Sequence, residues 1–441
     1  MTPKQTLLRK IERREAVVAV FGLGYVGLPL ALTFAEGGFP TIGFDTDRRK
    51  VDQLNAGESY IERIADARVK GAMREHDLRA SCDYALCAQA DALIICVPTP
   101  LGAHNEPDLK YVIATIDGIV PHLARGALVS LESTTYPGTT DEELRPRIEA
   151  AGLRVGADAF LVYSPEREDP GNPDFATRDI PKVCGGSSDD CLAVGAALYG
   201  AVVARVVEVS STRAAEMTKL LENIYRAVNI GLVNELHVIA DSMRLDVHEI
   251  IRAAATKPFG YTAFHPGPGL GGHCLPIDPF YLSWKAKEYG VHAKFIELAG
   301  EVNAAMPQWY AQRAASELNR AGLPLRGASV LILGVAYKKN VDDLRESPAL
   351  KIMHLLRAQG ANIAYADPHV PRIGTLRDYD FDLRSETLSE TLLARSDLVI
   401  ICTDHDRFDY AMIERCSKLL IDTRGVLNRV GDDSVDDSAA D

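Results

Sequence analysis

The most constraining feature of this chain is a short apolar run, VVAVF at 17 to 21, that ends on three glycines spaced Gly22-x-Gly24-x-x-Gly27. The run is too short for a helix and apolar enough for a strand buried on both faces. A helix is predicted to follow, through about Glu36. In that order the spacing has a physical use. Gly22 permits a tight turn, Gly24 lets a pyrophosphate approach the backbone, and Gly27 allows the helix to pack closely on the strand. The phosphates would meet the free N–H groups of the helix N-terminus. Tyr25 and Val26 lie inside the turn and are expected to touch the same ligand. Residues 40 to 45 predict the next strand, which ends on Asp45 at the distance expected of a ribose-binding acid. A carboxylate there accepts bonds from both ribose hydroxyls and repels a 2′-phosphate, so NAD is expected over NADP. A flavin is the main competitor for the same turn.

Further apolar strands are predicted at 91 to 98 and 126 to 134, with Pro98 and Thr99 as cofactor contacts at the end of the former. Strands alternating with helical patterns indicate a mostly parallel sheet. Residues 212 to 243 contain no proline and one glycine, and read as one long helix or two in tandem, buried on most sides. The stretch from 247 to 320 is mainly helical, broken by a loop at 265 to 279. A second α/β pattern starts near 327, with strands at 362 to 368, 396 to 405 and 418 to 425 and a helix at 347 to 360. The expected architecture is α/β: a dinucleotide-binding domain at 1–205, a central helical dimerisation domain at 206–322, a second α/β domain at 323–430 and an acidic tail at 431–441.

The formal charge of −13 is partly concentrated in the last dozen residues, which hold five aspartates. Such a chain is a poor partner for nucleic acid. No apolar stretch reaches transmembrane length, and the charged N-terminus lacks the apolar core of a signal peptide. The eight cysteines show no tight metal-ligand spacing. A cytoplasmic protein with reduced thiols and no bound metal is expected.

Cys274 stands apart from the other thiols. It lies in PGPGLGGHCLPIDP at 266 to 279, where four glycines and four prolines in fourteen residues shape a loop around a ligand. A cysteine in such a loop suits a nucleophile better than a packing residue. His273 adjoins it, but neighbouring side chains often point apart, so no role is assigned to it. Lys219 and Asn223 are four apart and share a helix face. An ammonium there would stabilise a developing oxyanion; the plainer alternative is a salt bridge from Lys219 to Glu216 or Glu222. Glu166, read alone, is an ordinary solvated acid.

Together these motifs resemble the UDP-glucose/GDP-mannose dehydrogenase family over nearly the whole chain. The segments that carry the likeness are FGLGYVGLPLA (21–31), LESTTYPGTT (131–140), the block from SPEREDPGN to TKLLENIYRAVNI, KPFGYTAFHPGPGLGGHCLPIDPFYLSWKA (257–286) and GVAYKKNVDDLRESPAL (334–350). Within the family they look nearest to bacterial UDP-N-acetyl-D-glucosamine 6-dehydrogenases of O-antigen and capsule pathways. The resemblance implies Rossmann-like N- and C-terminal domains, the latter binding the UDP-sugar, and two successive NAD-dependent oxidations at C6. It implies Cys274 as nucleophile, Asp278 as the loop aspartate, Lys219 and Asn223 around the oxyanion, and Glu166 and Thr134 in the catalytic set. Thr134 and Arg345 are further cofactor contacts. Glu166, Arg167, Lys219, Asn223, Tyr261, Gly271 and Lys338 are the expected substrate contacts. An even-numbered homo-oligomer, a dimer or larger, is implied as well. The family's basic residue upstream of the cysteine loop has no residue-by-residue match in Lys257-Pro258-Phe259-Gly260, although His265 adds a basic group nearby. This departure weakens UDP-glucose as substrate and favours a pocket rebuilt around an N-acetyl group.

The expected reaction is oxidation of UDP-N-acetyl-D-glucosamine to its uronic acid through a cysteine thiohemiacetal and thioester. The alternatives are the same reaction on UDP-N-acetylmannosamine or UDP-glucose. A non-catalytic nucleotide-sugar sensor would not need the Cys274, Asp278, Lys219 and Asn223 set. A simple alcohol dehydrogenase would stop after one hydride.

Overall fold

The computed structural model describes residues 1–61, 64–102, 106–167, 178–272, 275–376 and 379–427. Cys274 and His273 fall outside the described residues, as does the acidic stretch 431–441. The chain forms two compact units, residues 1–222 with 284–291, and residues 223–283 with 292–441. Of the stretch expected as a central domain, residues 206–222 and 284–291 group with the first unit and the others with the second.

The first unit opens with α1 (Pro3–Glu12), β1 (Val18–Phe21), α2 (Gly27–Glu36), β2 (Thr41–Phe44), α3 (Arg48–Asn55), α4 (Asp66–Glu75) and β3 (Leu78–Ser81). It continues with β4 (Ala92–Ile95), α5 (Lys110–Ile119), β5 (Leu128–Leu131), α6 (Arg145–Ala150), β6 (Phe160–Tyr163), β7 (Lys182–Gly186), α7 (Asp189–Gly200) and β8 (Val206–Val209). The eight strands lie in the order β3-β2-β1-β4-β5-β6-β7-β8, parallel throughout except between β6 and β7. The first six follow the doubly wound order of dinucleotide-binding sheets, whose ligands sit beyond the carboxyl ends of the strands where the order reverses. Here that point lies between β1 and β4.

Strands β1, β4, β5 and β6 are buried at every residue, because helices cover both faces of the sheet. Helix α2 is buried from Gly27 to Ala35, as a helix apolar all round must be. Thr2 and Gln5 close a capping box on α1 with Pro3 in the first turn, and its Leu7 and Ile11 enter the core. Strand β8 runs past residue 205; its half-buried VVEV lacks the apolar continuity that marks its neighbours.

Helix α8 (Thr212–Met243) is one unbroken helix of 32 residues, about 48 Å long. The burial expected on most of its sides is not observed. Leu221, Tyr225, Leu232, Leu236, Ile239 and Met243 are 45 to 63% exposed. Their spacings of three, four and seven residues form a stripe that a single copy of the chain leaves uncovered.

The second unit adds α9 (Val247–Ala255), the part of α10 (Asp278–Glu288) up to Ser283, α11 (Lys294–Arg320), β9 (Ser329–Leu333), α12 (Pro348–Ala358), β10 (Asn362–Ala366), β11 (Arg372–Thr375), β12 (Asp380–Arg384), α13 (Glu390–Arg395), β13 (Leu398–Ile401), α14 (Tyr410–Cys416) and β14 (Leu420–Asp422). Its main sheet has the order β10-β9-β13-β14, all parallel, and β11 with β12 forms a separate hairpin. Met306, Tyr310, Ala314 and Leu318 on one face of α11 belong to the same core as Val330, Ile332, Leu398 and Ile400 of this sheet. Among the described residues, no helix is long and apolar enough to cross a membrane.

Candidate active site

The glycine turn has the geometry its spacing predicts. Gly22 takes φ +89°, and a Cβ there would stand 2.7 Å from the Cys96 carbonyl oxygen. A Cβ on Gly27 would overlap the Gly22 carbonyl oxygen. Gly24 is different, because its Cβ would meet nothing within 4 Å. Two glycines therefore serve the turn itself, while the third faces open space of the kind a pyrophosphate requires. Asp45 closes β2 and accepts a hydrogen bond from Leu23 N–H at 3.0 Å, which aims its carboxylate at the turn. Lys50 Nζ lies 3.4 Å from the same oxygen. Tyr25 lies in the turn, Val26 caps α2, and Pro98 and Thr99 follow the end of β4. These residues fit a dinucleotide with an unphosphorylated ribose, as in NAD.

The loop after β5 carries Thr134. It is half-buried and makes no hydrogen bond to a described residue through its side chain. The loop is fastened to α8 by Glu216, a fully buried carboxylate that accepts bonds from Gly138 N–H at 2.5 Å, Thr140 N–H at 2.9 Å and Thr140 Oγ1 at 2.7 Å. Burial nonetheless pushes the pKa of Glu216 up to about 7.

Glu166 follows β6 and is not the solvated acid it appears in isolation. Its side chain is 13% exposed, and Oε2 lies 3.9 Å from Lys182 Nζ. The neighbouring Arg167 forms an ion pair with Glu222 at 2.7 Å and donates to the Pro181 carbonyl at 2.6 Å. The guanidinium thereby ties the loop after β6 to α8.

Lys219 is 8% exposed and has no hydrogen-bond or ion-pair partner among the described residues. The two acids offered by the plainer reading are engaged elsewhere, Glu216 by the loop after β5 and Glu222 by Arg167. A lysine buried without a counter-charge is costly unless a ligand supplies one.

In the second unit the structure brings Asn223 and Asp278 together. Asn223, 1% exposed, donates through Nδ2 to Asp278 Oδ2, and Asp278 is 2% exposed. Arg226 Nη2 donates to Asn223 Oδ1 at 3.0 Å, which fixes the amide's orientation. The cysteine loop is held at Gly272, with φ +79°, whose N–H donates to the Arg345 carbonyl at 3.0 Å. Gly271 packs so tightly that a Cβ would stand 2.7 Å from Tyr337 Cβ. Lys338 follows Tyr337, while Arg345 pairs with Asp343 at 2.5 Å. Tyr261 is 39% exposed. A cavity of about 470 Å3 lies against both arms of the loop, lined by Leu270, Leu275, Phe280, Asn303, Arg345 and Tyr379 among others.

Arg424 was missed from sequence. It follows β14, donates through Nε to the Cys402 carbonyl at 2.9 Å, and its Nη1 lies 3.1 Å from where a Cβ on Gly267 would be. No local pattern marks it, since it meets the cysteine loop only through the parallel sheet.

The sequence matches the UDP-glucose/GDP-mannose dehydrogenase family in its NAD binding domain over residues 16–203, its central domain over 213–305 and its UDP binding domain over 331–429. A UDP-N-acetyl-D-mannosamine dehydrogenase of Pyrococcus horikoshii is 34% identical, over 93% of this chain and 96% of its own. A UDP-N-acetyl-D-glucosamine 6-dehydrogenase of Pseudomonas aeruginosa is 33% identical, over 83% of this chain and 86% of its own. The solved structure of the UDP-D-ManNAc dehydrogenase from P. horikoshii superposes with a TM-score of 0.83 at 32% identity, covering 93% of this chain and 96% of that one. The likeness is thus shared across relatives named for different N-acetylhexosamines, and is not specific to the N-acetylglucosamine enzymes that the sequence segments suggested. The chain belongs to the UDP-glucose/GDP-mannose dehydrogenase family, and its reaction is the NAD-dependent oxidation of a nucleotide sugar at C6.

Proposed function

We propose that the substrate is UDP-N-acetyl-D-mannosamine and the product its C6 carboxylate, formed by two oxidations with a covalent stage on Cys274. The substrate choice rests on the P. horikoshii relative, which matches more of the chain than the N-acetylglucosamine enzyme does. UDP-N-acetyl-D-glucosamine remains the second reading, because the two sugars differ only in configuration at C2. The observation that carries the chemistry is the buried Lys219, which has no ion-pair partner among the described residues.

NAD, when bound at the glycine turn, supplies the hydride acceptor for each oxidation. The first oxidation leaves an aldehyde at C6. Lys219, through a water held with Asp278, manages the hydroxyl proton. The Cys274 thiolate adds to the aldehyde carbon, forming a C–S bond and an oxyanion. Lys219 and Asn223 stabilise that oxyanion, with the Asn223 amide fixed by Arg226 and Asp278. The second oxidation converts the adduct to a thioester. Water near Glu166 then attacks the acyl carbon and releases the carboxylate and the thiolate. A thiolate is nucleophilic near neutral pH and leaves a thioester readily, which is why the step calls for cysteine.

A dimer is part of the proposal, since the exposed stripe on α8 is apolar and self-complementary pairing of two such helices would cover it. A cytoplasmic setting is proposed because the described cysteines are all free thiols. The test is NADH formed per sugar with UDP-N-acetylmannosamine, UDP-N-acetylglucosamine and UDP-glucose in parallel. Two NADH per UDP-N-acetylmannosamine, lost in Cys274→Ala, is the expected result. Two NADH from another sugar would overturn the substrate, and acid formation by Cys274→Ala would overturn the covalent route.

A further inference from the structure

A buried ionic cluster in the first unit has no part in this scheme. Lys182 opens β7 at 6% exposure, with its ammonium 2.5 Å from Glu132 Oε2 and 3.9 Å from Glu166 Oε2. Glu132, 1% exposed, follows β5 two residues before Thr134. Its second oxygen accepts a hydrogen bond from Tyr199 Oη at 2.6 Å. With its only proton committed there, Tyr199 accepts in turn from Ser130 Oγ at 2.7 Å. Lys182 Nζ also sits 5.1 Å from the centre of the Tyr199 ring.

Two consequences follow from this geometry. Both oxygens of Glu132 are engaged, so its carboxylate cannot turn, and the ammonium bound to it is fixed in place. Burial works to strip the proton from Lys182, but the charges of Glu132 and Glu166 and the Glu132 hydrogen bond outweigh it and hold the pKa above the ordinary lysine value. Glu132 alone would neutralise this cation, so the approach of a second carboxylate is not needed for charge balance. At 3.9 Å that approach is an ion pair and not a hydrogen bond. Lys182 therefore attracts Glu166 without consuming one of its acceptor positions.

We propose that Lys182 is a positioning residue for Glu166: clamped by Glu132 and Tyr199, it fixes the Glu166 carboxylate, the group that takes the proton of the hydrolytic water in the proposed reaction. The inference rests on the hydrolytic reading of Glu166. In that step the water oxygen bonds to the acyl carbon, the C–S bond breaks with its electron pair returning to sulfur, and one water proton passes to Glu166.

The test uses the full-length protein with NAD and UDP-sugar, following acid release together with the intact mass of the enzyme. Lys182→Met would strand Glu132 as a buried unpaired charge and endanger the fold. The working variant is therefore Lys182→Met with Glu132→Gln, which removes both charges. Hydrolysis is expected to slow about 100-fold, the cost of misplacing a reacting group by an ångström. The acyl adduct should accumulate on Cys274, with kcat and KM falling together and kcat/KM unchanged, and Lys182→Arg should recover part of the rate. Adding the two substitutions to Glu166→Gln should slow hydrolysis no further. Multiplying rate losses, or hydrolysis at the parental rate in the double variant while Glu166→Gln is slow, would overturn the role of Lys182 alone. Parental hydrolysis in Glu166→Gln would overturn the reading of Glu166 itself.

Discussion

Gly24 and Gly27 occupy one turn, yet alanine at each should fail in a different way. A Cβ on Gly27 would overlap the Gly22 carbonyl oxygen and stand 3.0 Å from its carbon. Carbon atoms settle at about 3.5–4.0 Å, so α2 would have to withdraw from β1 by roughly half an ångström at that carbon and further at the oxygen. Overpacking of this kind costs about 1–3 kcal/mol, more than the ~1 kcal/mol alanine gains over glycine inside a helix. Gly27→Ala should thus lower the unfolding midpoint and also displace the N–H groups that meet the pyrophosphate. A Cβ on Gly24 meets no protein atom within 4 Å. Gly24→Ala should fold with stability within about 0.5 kcal/mol of the parent but put a methyl group where the pyrophosphate must approach. Its NAD dissociation constant should rise at least about tenfold, equivalent to ~1.4 kcal/mol. Calorimetric titration with NAD and urea unfolding without it separate the two effects. Parental NAD affinity in Gly24→Ala would refute the assignment of that space, and equal destabilisation of both variants would refute the steric reasoning.

Asn223→Ala removes one donor from the buried Asp278 and one acceptor from Arg226; about 1–3 kcal/mol of stability should be lost, with kcat down about 10²–10³-fold. Lost stability with unchanged kcat would reduce Asn223 to a packing role. The folded pKa of Glu216, about 7 against an ordinary 4.5, makes its contribution complete below pH 4.5 and progressively lost up to about pH 7, by at most ~3 kcal/mol. Glu216→Gln should therefore flatten the stability of the protein across that window in urea titrations, and a slope like the parent's would count against it. Leu236→Glu puts a charge in the α8 stripe and should shift a dimer toward monomer in sedimentation, with the fold retained; an unaltered assembly would exclude that stripe from the interface.

The sequence alone determined features that depend on near neighbours in the chain. The glycine turn, the closing Asp45 and the continuous strands β1, β4 and β5 are local patterns, and backbone sterics and two-sided burial leave little freedom in how they fold. The proposed catalytic set also came from sequence, through the family resemblance. What packing contributed was the state of those residues. Glu166 looked solvated because the lysine beside it lies sixteen positions away on another strand. Lys219 had two acids within a turn, and only the tertiary structure sent both to other partners. The stripe on α8 read as core because hydrophobicity reports that a face must be covered, but not whether the chain itself covers it. Arg424 and the cluster of Glu132, Lys182 and Tyr199 carry no pattern at all. Their members converge through the pairing of distant strands, antiparallel between β6 and β7, and through the packing of α7, and strand order is fixed by burial summed over the whole sheet.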